Sequence, residues 1–356
     1  MATLQIPAMY SPFSSALHPC SQQVQQESVT RWAHWMGFEP MDKGYQALQA
    51  GQFGLLMGRC HPTASLETLS LLTDFTTWLF LWDDLVNQVD ESGMSWRPEQ
   101  LQAMNDRAQR LLLGNAPQAQ DGPLVRGLWH LLEGLKARMS GQWMHRFTFH
   151  LQEYFEATVW QATSLRRGAP PDVDTYTRMR RLTSGMFVMV DLIEVAGGME
   201  VPLQARLEPL LAAMVRCTVN AVAWANDIFS LGKELLHGDR HNLVLVLQNK
   251  WGLTLEEALR EAAVRHDAEV RHFIDCQHAL PSFGAEVDEA VGRYVEGLRC
   301  WMRAKLDWSA MNGRYRQGTE LSAQVRAVPH QPECTGSARA RRAPPRAAGT
   351  SKAGVA

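Results

Sequence analysis

Apolar residues recur along this chain at helical spacing, and no stretch alternates apolar with polar residues as a strand would. The periodicity predicts helices over about 28–37, 43–58, 64–88, 97–114, 121–138, 141–166, 173–197, 203–237, 240–250, 254–279 and 285–310. Local punctuation marks the joints. HPTAS precedes the third helix, the Pro of SGMSWRPEQ the fourth and GAPPDVD the seventh, and two glycines stand at 197–198. Residues 69–89 and 182–198 are apolar nearly all round, yet Asp74 interrupts the first and Asp191 and Glu194 the second. Neither offers the roughly 20 uncharged residues of a membrane span, so both read as helices buried inside a soluble protein. Many contiguous helices, with neither linker nor repeat between them, predict an all-α, single-domain helical bundle.

Residues 1–27 carry Pro and Ser without periodicity and read as an N-terminal strap; 28–318 form the helical domain. Residues 319–356 form a basic tail, in which after about Leu321 Arg326, Arg339, Arg341, Arg342, Arg346 and Lys352 face the single acid Glu333. Such a tail buries too little apolar area to offset its ordering entropy, and disorder is expected. The hydrophobic share of 46% suffices for a sizeable core, and the formal net charge of −2 gives no chain-wide footprint for nucleic acid. An anionic partner must therefore be met locally, by a few cations or by bound metal. The six cysteines show neither CxxC nor zinc spacing, and MATLQIPAMYSPFSS has neither a basic nor an apolar leader region. Both features predict a cytoplasmic protein with reduced thiols.

Two motifs carry candidate chemistry. In TTWLFLWDDLVNQVDES, Asp83 and Asn87 are spaced i, i+4 and share one helix face. Acids after a run of Trp and Phe are costly to bury unless a cation meets them, although a helix end emerging into water would explain them equally. In VAWANDIFSLGKELLHG, Asn226, Ser230 and Glu234 follow at i, i+4, i+8, drifting only about 40° per step. One stripe thus offers an amide oxygen, a hydroxyl and a carboxylate, hard ligands suited to Mg²⁺ or Mn²⁺. Lys233 beside it could point a compact charge at a phosphate. The competing reading, a polar stripe on a solvated helix, is weakened by the apolar Ala221, Val222, Ala223 and Trp224 just upstream.

WDDLVN resembles the aspartate-rich DDxxD motif, and NDIFSLGKE matches the NDxxSxxKE motif of bacterial class I terpene synthases, a likeness covering about residues 5–316. The first motif departs from the pattern, because Asn87 stands where Asp is common; weaker metal binding or an altered order of ion loading would follow. The resemblance implies a class I terpenoid synthase-like bundle around an apolar active-site cavity, with Mg²⁺, in three ions, as cofactor. YTRMRRLTSG is similar to the segment carrying the diphosphate-sensing arginine, which implies Arg180 as sensor and Arg181 as its runner-up. Thr183 and Ser184 would then be linker and effector before the helix-breaking Gly185. NGRY resembles the family's Arg-Tyr pair and implies Arg314 and Tyr315 as diphosphate contacts. HGDRHNLV follows the second motif as in relatives, with Arg240 anchoring the loop.

The implied function is metal-dependent ionisation of a prenyl diphosphate and cyclisation of the resulting cation, with farnesyl diphosphate as substrate by likeness to bacterial sesquiterpene cyclases. Monoterpene and diterpene cyclisation remain alternatives, and a homodimer is compatible with the sequence. Aromatic faces attract a carbocation as they attract other cations. Candidate pocket aromatics are Trp78 and Phe80, Phe187 past the effector and Trp308 near the Arg-Tyr pair, with Phe75, Trp82 and Trp224 in the wider set; core packing is the competing reading for each. A chain-elongating prenyl transferase would carry a second aspartate-rich motif where this chain has NDIFSLGKE. A silent isoprenoid-binding helical protein is the remaining alternative, and the complete second motif counts against it.

Overall fold

The computed structural model describes residues 5–86, 98–167, 171–237 and 240–312, and every regular element among them is a helix. In chain order these are α1 (Ser21–Met36), α2 (Lys43–Gly51), α3 (Phe53–Cys60), α4 (Leu66–Val86), α5 (Pro98–Leu112), α6 (Pro123–Lys136), α7 (Gly141–Arg167), α8 (Val173–Thr183), α9 (Met186–Gly197), α10 (Leu203–Arg206), α11 (Pro209–His237), α12 (Leu243–Trp251), α13 (Leu255–Ala279) and α14 (Ala285–Met311). None of them is long and apolar enough to cross a membrane. The basic tail expected after 319 lies outside the described residues.

The two nearly all-apolar segments, α4 and α9, run through the core. Leu69, Leu72, Phe75, Trp78 and Trp82 of α4 are fully buried. Thr76 and Thr77 return their hydroxyls to the carbonyls of Leu72 and Thr73 at 2.8 and 2.9 Å, which lets polar residues sit inside. Asp74, the acid that interrupts this run, is paired with Arg31 of α1. In α9 the interrupting acids are fully buried and fully engaged. Asp191 accepts from Arg146 Nε at 3.0 Å and pairs with His150 Nδ1 at 2.6 Å. Glu194 is met by Arg146, Arg206, Trp143 Nε1 at 3.0 Å and the Val201 N–H at 2.6 Å. Buried carboxylates survive only with such partners.

Four helix boundaries differ from the periodicity, the simplest being the division of 203–237 into α10 and α11 just before Pro209, which suits a first helical position because it has no N–H to donate. Helix α1 starts at Ser21 rather than 28, inside the expected strap, because its inward face is partly polar and escapes a hydrophobic pattern. Gln25 there accepts from the Gly54 N–H at 2.7 Å, and Ser28 bonds Thr77 at 3.0 Å. The helix expected over 43–58 is broken at Gln52, a non-glycine residue at φ 48°. The Gly51 carbonyl freed by that break accepts from Trp308 Nε1 at 3.0 Å and Asn312 Nδ2 at 2.9 Å. The helix expected over 173–197 divides at Gly185, whose φ of 66° suits a residue without a Cβ. A Cβ there would also come 3.0 Å from the Leu79 side chain of α4.

A second, smaller apolar cluster lies between α8, α11, α12 and α13, built on Tyr176, Trp224, Ile228, Leu231, Leu243 and Leu247. It fixes the C-terminal half of α11, where the second motif sits, against the start of α12.

Candidate active site

The stripe of the second motif forms as its spacing predicts. Ser230 Oγ donates to Glu234 Oε1 at 2.6 Å, bringing hydroxyl and carboxylate together on one face of α11. Asn226 turns its amide oxygen to Arg180, whose Nη2 donates to it at 2.9 Å. Asn226 and Glu234 are half-buried and Ser230 is buried, so the stripe lines neither bulk solvent nor the closed core. An amide, a hydroxyl and a carboxylate are oxygen donors of the kind Mg²⁺ takes, and the donor set fits a divalent ion. Among the described residues no three His, Cys, Asp or Glu side chains gather as an alternative metal cluster.

Asp227, absent from the candidate ligands although it stands inside the motif, proves central. One residue on from Asn226 it points about 100° away from the stripe, toward α8. Its Oδ1 accepts from Arg180 Nε at 2.9 Å, and its Oδ2 from Tyr176 Oη at 2.6 Å and the Leu243 N–H at 3.0 Å. Burial works against the charge of Arg180, but Asp227, Tyr176 and Glu234 overcome it and raise its pKa, so it is a permanent cation. Burial likewise raises the pKa of Asp227, and Arg180 and Tyr176 act in the opposite direction. A guanidinium clamped at Nε by one acid and reaching forward at Nη2 is a directed charge.

The adjacent Arg181 points elsewhere: its Nε donates to Asn220 at 2.9 Å, and Asn220 in turn donates to Glu269 of α13 at 3.0 Å. Of the two candidate sensors, Arg180 is the one that reaches the second motif. Ser184 caps α8, with Oγ donating to the Arg181 carbonyl at 3.0 Å, and Thr183 beside it is buried. The end of α8, with the negative end of its dipole, thus falls at the Gly185 break against Leu79 of α4.

The first motif approaches from the last turn of α4. Lys233 Nζ lies 3.6 Å from Asp84 Oδ1, a contact between the two motifs that no spacing within one helix assigns; the sequence pattern points to Asp83 instead. Both aspartates are half-buried. Tyr154 of α7 feels the charges of both aspartates and of Arg180. Burial pushes its phenol pKa well up, Asp83 and Asp84 push further, and Arg180 opposes them. Its hydroxyl has no hydrogen-bond partner among the described residues. Nothing in the motif pattern points to this tyrosine. Asn87, Arg314 and Tyr315 lie outside the described residues, and Arg240 is exposed.

The candidate aromatics separate into distinct surroundings. Phe80 is half-buried, stacks on Phe53 at 4.5 Å and tilts toward Trp308 at 5.9 Å. Phe187 stacks on His150 at 5.5 Å, just past the effector position. Trp78 is fully buried among Phe75, Trp82 and Phe155, and its indole N–H donates to the Leu124 carbonyl of α6 at 3.0 Å. Its contacts are those of core packing. Trp224 belongs to the separate apolar cluster behind α11, which accounts for its burial without a pocket.

An all-helical bundle in which Lys233 of the second motif meets Asp84 of the first, beside an Asn-Ser-Glu stripe and a clamped arginine, carries the donors and cations of a metal-dependent synthase of the terpenoid type. The model of terpene synthase family 2, C-terminal metal binding, matches residues 74–272, a span holding both motifs, and the chain belongs to this family. It is 35% identical to a (+)-T-muurolol synthase ((2E,6E)-farnesyl diphosphate cyclizing) of Roseiflexus castenholzii, over 90% of this chain and 97% of that protein. It is 32% identical to a 10-epi-cubebol synthase of Sorangium cellulosum, over 87% of this chain and 98% of that one. Among solved structures, a single-residue variant of cucumene synthase superposes with a TM-score of 0.74 at 27% identity, covering 86% of this chain and 99% of the other.

Proposed function

We propose that this terpene synthase ionises farnesyl diphosphate with Mg²⁺ and cyclises the farnesyl cation to a sesquiterpene, releasing diphosphate, in the cytoplasm. The observation that carries this reading is the Lys233–Asp84 contact of 3.6 Å, which joins the two motifs at one locus. The T-muurolol synthase relative cyclises (2E,6E)-farnesyl diphosphate, which supports that substrate here. The unpaired cysteines of the described residues are in keeping with a reducing compartment.

In this reading Asp83 and Asn87 of the first motif and Asn226, Ser230 and Glu234 of the second would hold three magnesium ions. Magnesium, when bound, supplies Lewis acidity to the oxygens of the departing diphosphate. Arg180 adds a fixed cation aimed by Asp227, and Lys233 exchanges its contact with Asp84 for the diphosphate. Such preorganised charges favour bond breaking because negative charge grows on the leaving group as the allylic C–O bond lengthens. The Ser184 carbonyl at the end of α8 offers partial negative charge to the allylic carbon left behind. Phe80, Phe187 and Trp308 present π faces to the migrating positive charge, whereas Trp78 is held in core packing. Arg314 and Tyr315 complete the grip on diphosphate and exclude water from the cation.

The test is incubation of the purified protein with Mg²⁺ and, separately, geranyl, farnesyl and geranylgeranyl diphosphates, followed by headspace analysis. A cyclised C15 product from farnesyl diphosphate is expected. A longer prenyl diphosphate, or unreacted substrate in every case, would overturn the proposal.

A further inference from the structure

The carboxylate of the second motif is held from outside its own helix. Glu234 stands in the last turn of α11, where helical hydrogen bonding gives out, and a glutamate has three side-chain torsions to restrain. Ser230 Oγ occupies its Oε1 at 2.6 Å. Its Oε2 accepts at 2.6 Å from Nδ2 of Asn242, the residue that starts α12. The same Nδ2 donates at 2.7 Å to the main-chain carbonyl of Asp227. Asn242 Oδ1 accepts from the Val244 N–H at 2.8 Å and so caps α12. The amide is fully buried, and its orientation is determined by its surroundings. Turned over, it would set its oxygen against two acceptors and its nitrogen against a backbone N–H.

We propose that Asn242 is a positioning residue for metal binding, fixing the Glu234 carboxylate toward the shared site; this rests on the reading of Glu234 as a magnesium ligand. Its neighbours make it part of a larger clamp. The His241 carbonyl accepts from Tyr176 Oη at 3.2 Å, and the Leu243 N–H donates to Asp227 Oδ2 at 3.0 Å. Three consecutive residues therefore orient Glu234 on one side and the carrier of Arg180 on the other. Asn242 sets the ligand, and its flanking backbone sets the acid that aims the cation. Groups that orient a metal ligand typically influence metal affinity about 10–100-fold without touching the ion.

Two substitutions separate this role from helix capping. Asn242→Asp and Asn242→Ser both keep an oxygen for the Val244 N–H and remove the amide donor to Glu234. Binding of inorganic diphosphate is measured by calorimetry across a Mg²⁺ series, beside metal-free thermal melts and the Mg²⁺ dependence of turnover at saturating farnesyl diphosphate. The half-saturating Mg²⁺ concentration should rise at least about tenfold in both variants, while the metal-free melting temperature of Asn242→Ser stays within about 4 °C of the parent. Unchanged half-saturation in both variants, with or without a loss of melting temperature, would overturn the proposal. The Glu234→Gln variant distinguishes the two readings. If it keeps parental Mg²⁺ dependence, the ligand assignment itself fails. If it loses that dependence while the Asn242 variants keep it, only the positioning role falls.

Discussion

Lys233 Nζ and Asp84 Oδ1, 3.6 Å apart, join the last turn of α4 to the last turns of α11. Each side chain keeps about a third of its surface in solvent (32% for both), so the pair adds no more than about 1 kcal/mol to stability. Lys233→Met should therefore leave the melting temperature nearly unchanged. Turnover of farnesyl diphosphate should nonetheless fall about 100-fold, as when one preorganised donor to a developing anion is removed. Parental turnover in this variant would take Lys233 out of the site.

The metal stripe is tested by removal at both ends. Chelation of divalent ions should abolish turnover, and added Mg²⁺ should restore it. Glu234→Ala and Asn226→Ala should each nearly abolish product formation even at high Mg²⁺, because each deletes an oxygen donor. Full activity in either variant would remove that residue from the ligand set.

Tyr176→Phe deletes one of the donors to Asp227 Oδ2 and leaves the Leu243 N–H donating to it at 3.0 Å. A buried carboxylate oxygen deprived of a hydrogen bond costs about 1–3 kcal/mol. Urea denaturation should register that loss. Turnover should fall as well, since Asp227 aims Arg180. A destabilised variant with unchanged turnover would sever the link between the clamp and the chemistry.

Two tryptophans should respond differently to truncation. Trp308→Ala opens space beside Phe80 and Phe53 and frees the Gly51 carbonyl, so beyond a loss of stability it should alter the ratio of terpene products measured by gas chromatography. Trp78→Ala empties a core position ringed by Phe75, Trp82 and Phe155. Its main effect should be a stability loss of about 3–5 kcal/mol. An altered product ratio in a well-folded Trp78 variant, with none in the Trp308 variant, would reverse the two roles.

His61 gives the fold an acid sensitivity. Burial lowers its pKa to about 3 from an ordinary value of 6.5, so the folded chain keeps it neutral where the unfolded chain takes up a proton. Between those limits the unfolded state binds more protons, and stability falls as pH falls, by about 1.4 kcal/mol per unit at most. Denaturant midpoints measured from pH 7 downward should drop more steeply in the parent than in His61→Leu. Identical slopes would show that another group sets the acid limit.

How far a feature was legible depended on whether its cause was local. The run of Trp and Phe in α4 and the i, i+4, i+8 stripe in α11 are properties of a single helix, and their spacing predicts their shared faces. The break at Gln52 is different. A glutamine at φ 48° has no local signal, and the break is held by Trp308 of α14 and Asn312 just past its end, more than 250 residues away in sequence. The start of α1 was hidden for a related reason: Gln25 and Ser28 bury polar groups whose partners on α3 and α4 cannot be read from composition.

Within the site, the sequence by itself determined which oxygen donors and cations exist and which of them ride on one face, because helical geometry relates residues a few positions apart. Only the tertiary structure turned Arg180 toward Asn226 and Arg181 toward Asn220, brought Lys233 to Asp84, and set Asp227, Tyr154 and Asn242 beside these groups. Those choices depend on how α4, α7, α8, α11 and α12 pack, and hydrogen bonds between separate helices leave no period along the chain.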